Sequence, residues 1–589
     1  MSLSQTLKKY EEALSVSQGR QEALYDTRGK NVASFYEKFL SKLIRRYDAN
    51  LRDARWLADL RGKAKKFFGT DELTFLAVDG TSDKVQLEEY AVFFAASYGV
   101  AGTLDKDGQV VYKRRALEDE LSLVAYVPIP FAQLGELTAD QADDESRFSM
   151  MEIHNALMML AEIYLIYREA TAAGPPKVIM WDQSFSGMFH WKSFSLSGVP
   201  MVENGYTHNG RQVKRGDLVV VRSHPFNVDL DVPAAAPGYF NIPSRIVFEL
   251  SRSNGHEVSL SELEKVTGEK TAVIYRVAKE YMAGMIDVSA SGFKLRQEYV
   301  DSWDFVVSLV SDLCSKLLKD KDITSMSYNN RWITTADIDF LTSVLIRKVV
   351  EIAWERNIFL IGVVKDSGSR YFTHNYLGVM QKAGQYSGYT LDELANLLWT
   401  DRLTLESLPF CDDKLDAPWC SVEFDSVFQI TFLSNSNGTQ EVTMRNIPSS
   451  ERIFARSLAL LYSVRRKDNV VFNHMLFLDR PLYPAFDLAK VKKVSIDGHS
   501  QDVKTSVSPF VDKDAAEDNF GLDFMLYFLN QVTRNRFADV IGYPEPLHKA
   551  DLGCKSFNKM VQGMIRSSAS LAAKDKPWLS SVRQKRRFR

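Results

Sequence analysis

At 589 residues, 45% of them hydrophobic, the chain is long enough for two or three domains with sizeable cores. A formal net charge of −2 gives no ground for a global attraction to nucleic acid, so any basic surface has to be local. Cys314, Cys411, Cys420 and Cys554 form no CxxC pair, which argues against zinc sites and disulfides, and no run reaches the ~18 apolar residues of a membrane span.

Residues 1–70 are dense in Leu, Ala, Lys, Arg and Glu at helical spacing. They predict a polar helical arm of two or three helices, broken near Gly19 and Gly29, with no apolar signal core; the expected location is the cytoplasm. From residue 71 the pattern changes. LTFLAVDG predicts a buried strand ending on Asp79, QLEEYAVFFAASYGVAG a second strand, and DKDGQVVYKRR a hairpin through its Asp-Gly turn. MEIHNALMMLAEIYLIYREA predicts an amphipathic helix over 151–170, followed by the breaker AGPP and the strand VIMWD, which ends on Asp182. Strand, hairpin strands, helix, strand is similar to the start of a ribonuclease H-like α/β sheet.

DVPAAAPGYFNIP, residues 231–243, is rich in Pro and Ala and predicts a linker. Three short helical stretches follow, then the hairpin MIDVSASGFKLR: the pattern of a winged helix-turn-helix. Ile274, Val277 and Tyr281 are expected on the inner face of its third helix, with Arg276 and Lys279 outside. Eight basic against seven acidic residues over 243–296 is a weaker charge than DNA-reading wings usually carry, which leaves a structural or partner-binding role as the stronger expectation. After 300 the α/β pattern resumes, and RQKRRFR forms a basic tail at 583–589. The expected organisation is an N-terminal helical arm (1–70), a first part of a mixed-sheet domain (71–230), an inserted winged-helix-like domain (231–300), the second part of the mixed-sheet domain (301–562), and the tail (563–589).

Asp79 and Asp182 are candidate metal ligands. Carboxylates that meet at the C-terminal end of a sheet are hard oxygen donors suited to Mg²⁺ or Mn²⁺, ions that polarise a phosphodiester and generate hydroxide. Gly80, Thr81 and Ser82 after Asp79 let backbone approach a phosphate. The bland alternative is a turn after a strand. A third acid should come from the intervening helix, which offers Glu152, Glu162 and Glu169. Lys177 to Asp182 climbs about 16 Å, which a helix running back alongside covers in about eleven residues, landing on Glu162. Glu152 stays a competitor if the helix bends or ends early.

AVDGTS around Asp79, VIMWDQS around Asp182, GVVKDSG at 362–368 and GYPEPLHKAD at 542–551 together resemble the NurA nucleases, partners of HerA-type hexameric ATPases. The likeness runs over about 70–560. It implies that Asp79, Asp182 and Glu162 (or Glu152) hold the metals, that Tyr543 lies near the scissile phosphate, that Asp551 is the last ligand, and that Lys365 neutralises phosphate charge. Two departures stand out. Asp551 replaces the family's usual His, adding negative charge, and Gln183 replaces a Gly. His548 is the alternative ligand if the register slips.

The resemblance implies a Mn²⁺- or Mg²⁺-dependent DNA nuclease of ribonuclease H-like fold. It would act as a homodimer with a HerA-like translocase that grips the duplex, in DNA end processing or phage defence. Two alternatives compete: an impaired nuclease-like scaffold that regulates the ATPase, and a winged-helix DNA-binding regulator.

Overall fold

The computed structural model describes residues 3–86, 90–113, 121–130, 153–188, 205–222, 241–319, 327–328, 331–365, 367–382, 384–398, 400–425, 430–434, 440–444, 454–465, 471–488, 494–497, 504–507, 512, 514–533 and 541–575. These fall into two compact units: one comprises 1–62, 364–478 and 482–543, the other 63–363, 479–481 and 544–589. The units do not follow the boundaries expected at 70, 230, 300 and 562. The linker proposed over 231–243 falls mostly, and the basic tail 583–589 wholly, outside the described residues.

The second unit is built on a mixed sheet flanked by helices. β1 (Leu73–Gln86) pairs antiparallel with β2 (Tyr90–Leu104) from Leu73↔Leu104 to Gln86↔Ala91. β3 (Val110–Tyr112) returns along the start of the same ladder after a turn whose Gly108 has φ 75°, a conformation that favours glycine. β4 (Ser122–Pro130) pairs with the other half of β2. On the opposite edge of β1 lies β5 (Val178–Trp181), parallel, with Val78 facing Trp181. β6 (Phe359–Val364) lies parallel to β5 in turn. β5 is buried at every position, as expected of a central parallel strand covered on both faces.

The sequence places the end of the first strand at Asp79, and the structure moves it. β1 continues seven residues further, to Gln86, because β2 goes on supplying ladder partners after β5 has stopped. Asp79 therefore sits in mid-strand, at the level where the neighbouring strand has just ended.

Two helices matter to the site. α1 (Ile153–Thr171) is apolar nearly all round and packs on β1 and β2. Its last carbonyls, at Ala170 and Ala172, are met by the Arg356 guanidinium at 3.2 and 2.6 Å. α2 (Glu545–Asp575) also runs along β1 and β2.

The same unit holds three helices, Asn241–Arg252, Leu260–Thr267 and Thr271–Tyr281, over a small sheet of Val258–Ser259, Gly292–Leu295 and Ile286–Val288. Ile274 and Val277 are buried in its core, and Arg276 and Lys279 are exposed. Tyr281 is not inside: it is 43% exposed, and Met282 at the helix end fills the core position.

The first unit opens with one helix, Leu3–Lys38, that runs straight through Gly19 and Gly29. Each glycine costs a helix only about 1 kcal/mol, and the good helix formers around them outweigh that. The break comes instead after Lys38. Val32, Phe35 and Phe39 pack with Tyr376, Tyr389 and Trp419 in this unit's core, beside the antiparallel strands Ile44–Arg46, Trp419–Ser421 and Phe454–Leu460.

Candidate active site

β1 and β5 set the two aspartates side by side. Trp181 is the last β5 residue in register with β1, and the Asp182 N–H donates to the Val78 carbonyl at 3.1 Å as the final rung. Asp182 thus stands at the level of Asp79 on the adjacent strand, about 5 Å away by strand spacing. Beyond that rung Asp79 bends back on its own chain, its Oδ1 accepting the Gly80 N–H at 2.8 Å.

Glu162 approaches Gly80 and Trp181, the neighbours of the two aspartates, from α1. It is only 1% exposed, and its Oε2 accepts the Trp181 indole N–H at 2.8 Å. Its Oε1 is also buried and, among the described residues, meets no hydrogen-bond donor. Gly80 makes the approach possible: a Cβ there would lie 2.1 Å from Oε1. Both carboxylates therefore converge on Gly80, one on its amide and one in the space a side chain would fill. Burial holds the Glu162 carboxyl well above the usual carboxylate range; Asp79 raises it further, the Trp181 N–H offsets part of this, and Asp182 adds a smaller push.

The second helix keeps the strand in place from another side. On α2, Cys554, Asn558 and Gln562 are four residues apart, about 6 Å of rise, while Asp79, Thr81 and Asp83 advance by about 6.7 Å per pair along β1. The steps match. Cys554 Sγ donates to the Asp79 carbonyl at 3.3 Å, Asn558 Nδ2 to Thr81 Oγ1 at 3.0 Å, and Gln562 Nε2 to the Asp83 carboxylate. Gly553 allows this closeness, since a Cβ would lie 2.6 Å from the Tyr98 ring. Burial and then Asp79, Glu162 and Asp551 push the Cys554 thiol up, so it stays protonated and donates.

The sequence candidates divide as follows. Asp79 and Asp182 lie in register on adjacent strands, and Glu162 approaches their neighbours Gly80 and Trp181 from α1. Asp551 lies one turn before Lys555 on α2 and is ion-paired with it at 2.7 Å. Glu169 is buried against Arg168 at 3.0 Å. Glu152 lies outside the described residues. Lys365 and Tyr543 belong to the other unit, where the Lys365 ammonium sits 5.0 Å from the centre of the Tyr543 ring. His548 is half-buried in the first turn of α2, its N–H bonded to the Pro544 carbonyl at 3.1 Å. Sequence reasoning missed Trp181 as the Glu162 donor and Cys554 as the anchor of the Asp79 carbonyl. A Trp one residue before a strand-end Asp was the only available signal for the first.

Among the described residues no three His, Cys, Asp or Glu side chains form a ready-made metal cage. The donor set still suits a hard divalent cation. It has two aspartates on neighbouring strands and a buried glutamate with one oxygen bonded and the other facing no donor among the described residues. A buried carboxylate oxygen without a partner costs energy unless something else supplies the positive charge.

No family model and no curated protein matches this chain. Among solved structures it is similar to the NurA nuclease from Sulfolobus solfataricus, at 13% identity and a TM-score of 0.34, covering 89% of this chain and 93% of that one. A structure of NurA bound to dAMP and manganese aligns at 11% identity and a TM-score of 0.31, over 85% and 90% of the two chains. One of NurA with manganese aligns at 11% and 0.27, over 87% and 96%. Scores of this size do not establish a shared fold, and the functional reading rests on the side chains.

Proposed function

We propose that this chain is a metal-dependent nuclease that hydrolyses phosphodiester bonds in DNA, with Asp79, Glu162 and Asp182 as ligands for Mn²⁺ or Mg²⁺. One observation carries the reading: a buried glutamate, bonded through Oε2 to Trp181 and with Oε1 facing no donor among the described residues, under the electrostatic influence of two aspartates in register on a parallel strand pair. When bound, the cation supplies a Lewis acid for the phosphodiester and lowers the pKa of an attacking water. The chain does the positioning. Trp181 holds Glu162 in one orientation, Gly80 leaves room for it, and Cys554 fixes the Asp79 backbone. Lys365, packed on the Tyr543 ring, is proposed to meet substrate phosphate, and Asp551 to lie at the margin of the ligand set.

The resemblance to the NurA family extends the proposal to a homodimer working with a HerA-like ATPase hexamer in DNA end processing or phage defence. In the same proposal the 231–300 segment is a winged-helix-like insertion and the sheet is ribonuclease H-like. The Asp551–Lys555 ion pair favours a second reading, a nuclease-like scaffold that has lost activity. The test is cleavage of linear DNA by wild type and Asp79→Ala, with Mn²⁺ and with chelator, each with and without the ATPase. Mn²⁺-dependent cutting that Asp79→Ala abolishes supports the nuclease. Equal cutting by both proteins removes the assigned site, and no cutting in any arm leaves the scaffold.

A further inference from the structure

Asp479 also follows an apolar run, HMLFLD, and nothing in its sequence separates it from Asp79 or Asp182. Its surroundings do. It is completely buried within the strand Leu476–Pro481 beside β6 and is engaged by four donors. Ser184 Oγ and Ser186 Oγ donate to its Oδ2 at 2.6 and 2.5 Å, the Ser186 N–H to the same oxygen at 2.8 Å, and the Phe185 N–H to Oδ1 at 3.2 Å. A carboxylate used in this way is not available to a cation. What it holds is the chain directly after Asp182, where Ser184 caps a helical turn by accepting the Gly187 N–H at 2.9 Å.

We propose that Asp479 is a positioning residue for Asp182, an inference that rests on the proposed metal site. Asp182 is pinned on its N-terminal side by the rung to Val78 and on its C-terminal side, two to four residues on, by Asp479. Without the second anchor the aspartate would hang from the end of β5 on a loop, and its carboxylate would lose a fixed bearing on Asp79. Gly362 is what admits the anchor. A Cβ on this β6 residue would lie 2.0 Å from Asp479 Oδ1 and 2.7 Å from the Gln183 carbonyl. The arrangement mirrors Gly80 and Glu162. On each strand flanking β5, a glycine gives up its side-chain space to a buried acid, one acid to form the site and the other to hold it.

The test uses the full chain with Asp479→Asn, which replaces one acceptor oxygen by an amide that faces the Ser184 and Ser186 donors. In metal-free protein the amides of 184–187 should exchange with deuterium at least about 10-fold faster than in wild type. Mn²⁺ affinity by calorimetry should fall by about 10- to 100-fold, with kcat falling in step and KM for DNA nearly unchanged. If Asp479→Asn does not fold, the double change Ser184→Ala with Ser186→Ala keeps both backbone donors and should show the same pattern in smaller measure. Faster exchange with unaltered Mn²⁺ affinity and kcat would make Asp479 merely structural and overturn the proposal, as would unaltered exchange. Wild-type protein that binds no Mn²⁺ brings down the metal site itself. Wild-type binding with unaltered variants brings down only the role of Asp479.

Discussion

Glu162 in one unit and Asp401 in the other are both almost fully buried acids, and burial raises both above their ordinary pKa. They differ in what meets them. Asp401 accepts the Phe372 and Thr373 N–H groups at 2.9 and 2.8 Å and the Thr373 and Ser369 hydroxyls at 2.6 and 3.1 Å. Those bonds pull its pKa back down and tie the start of a helical segment, Tyr371–Tyr376, to the first residue of the helix Asp401–Glu406. Glu162 has one indole donor, and the aspartates beside it work against its charge. A buried acid with its bonds made is structural. Glu162, with one oxygen bonded and acids near it that oppose its charge, is the one proposed to take a cation.

Substitutions should separate the two acids, and the largest effect concerns activity. Asp79→Ala or Glu162→Gln should lower Mn²⁺-dependent cleavage of linear DNA by more than the about 100-fold that loss of a supporting partner costs. Asp401→Asn should leave the specific activity of its folded fraction near wild type. Stability should run the other way. Asp401→Asn turns an amide toward buried N–H donors and should cost about 1–3 kcal/mol, read as a lower Tm. Glu162→Gln removes a desolvated charge and should leave the metal-free Tm unchanged or higher. Gly80→Ala sets a methyl group against Glu162 Oε1 and should cost about 1–3 kcal/mol in overpacking, with loss of Mn²⁺ binding.

The pH dependence follows from the raised pKa of Glu162. A carboxyl whose folded pKa lies above its unfolded value, about 4.3, stabilises the fold while protonated, and that contribution is lost as pH rises through the folded value. Metal-free protein should therefore lose Tm as pH rises above the unfolded value, and the Tm gain on adding Mn²⁺ should grow over the same range. Glu162→Gln should flatten both trends. The smallest effect is expected at Asp551. Already paired with Lys555, it should change Mn²⁺ affinity by less than about 10-fold when replaced by Ala. A loss as large as that of Asp79→Ala would place it among the primary ligands.

Some of this was legible in the chain. Apolar runs that stop on an acid marked Asp79 and Asp182, and helix rise against strand rise chose Glu162 over Glu169 because both elements are regular. The arithmetic could not see further. That β1 outruns Asp79 depends on its pairing with β2, and that Gly80 and Gly362 are spaces for side chains depends on what packs above them. Asp479 and Ser186 are nearly three hundred positions apart, and no local pattern predicts their bond. The helix through Gly19 and Gly29 failed in the opposite direction, since two local breakers were outweighed by the run around them.

The most direct measurement is an anomalous difference map from a crystal of the metal-free protein soaked in Mn²⁺. A peak bound by Glu162 Oε1 together with Asp79 or Asp182 is the predicted result. A peak bound only by other residues, with Glu162 still buried and bonded to Trp181 alone, would contradict it.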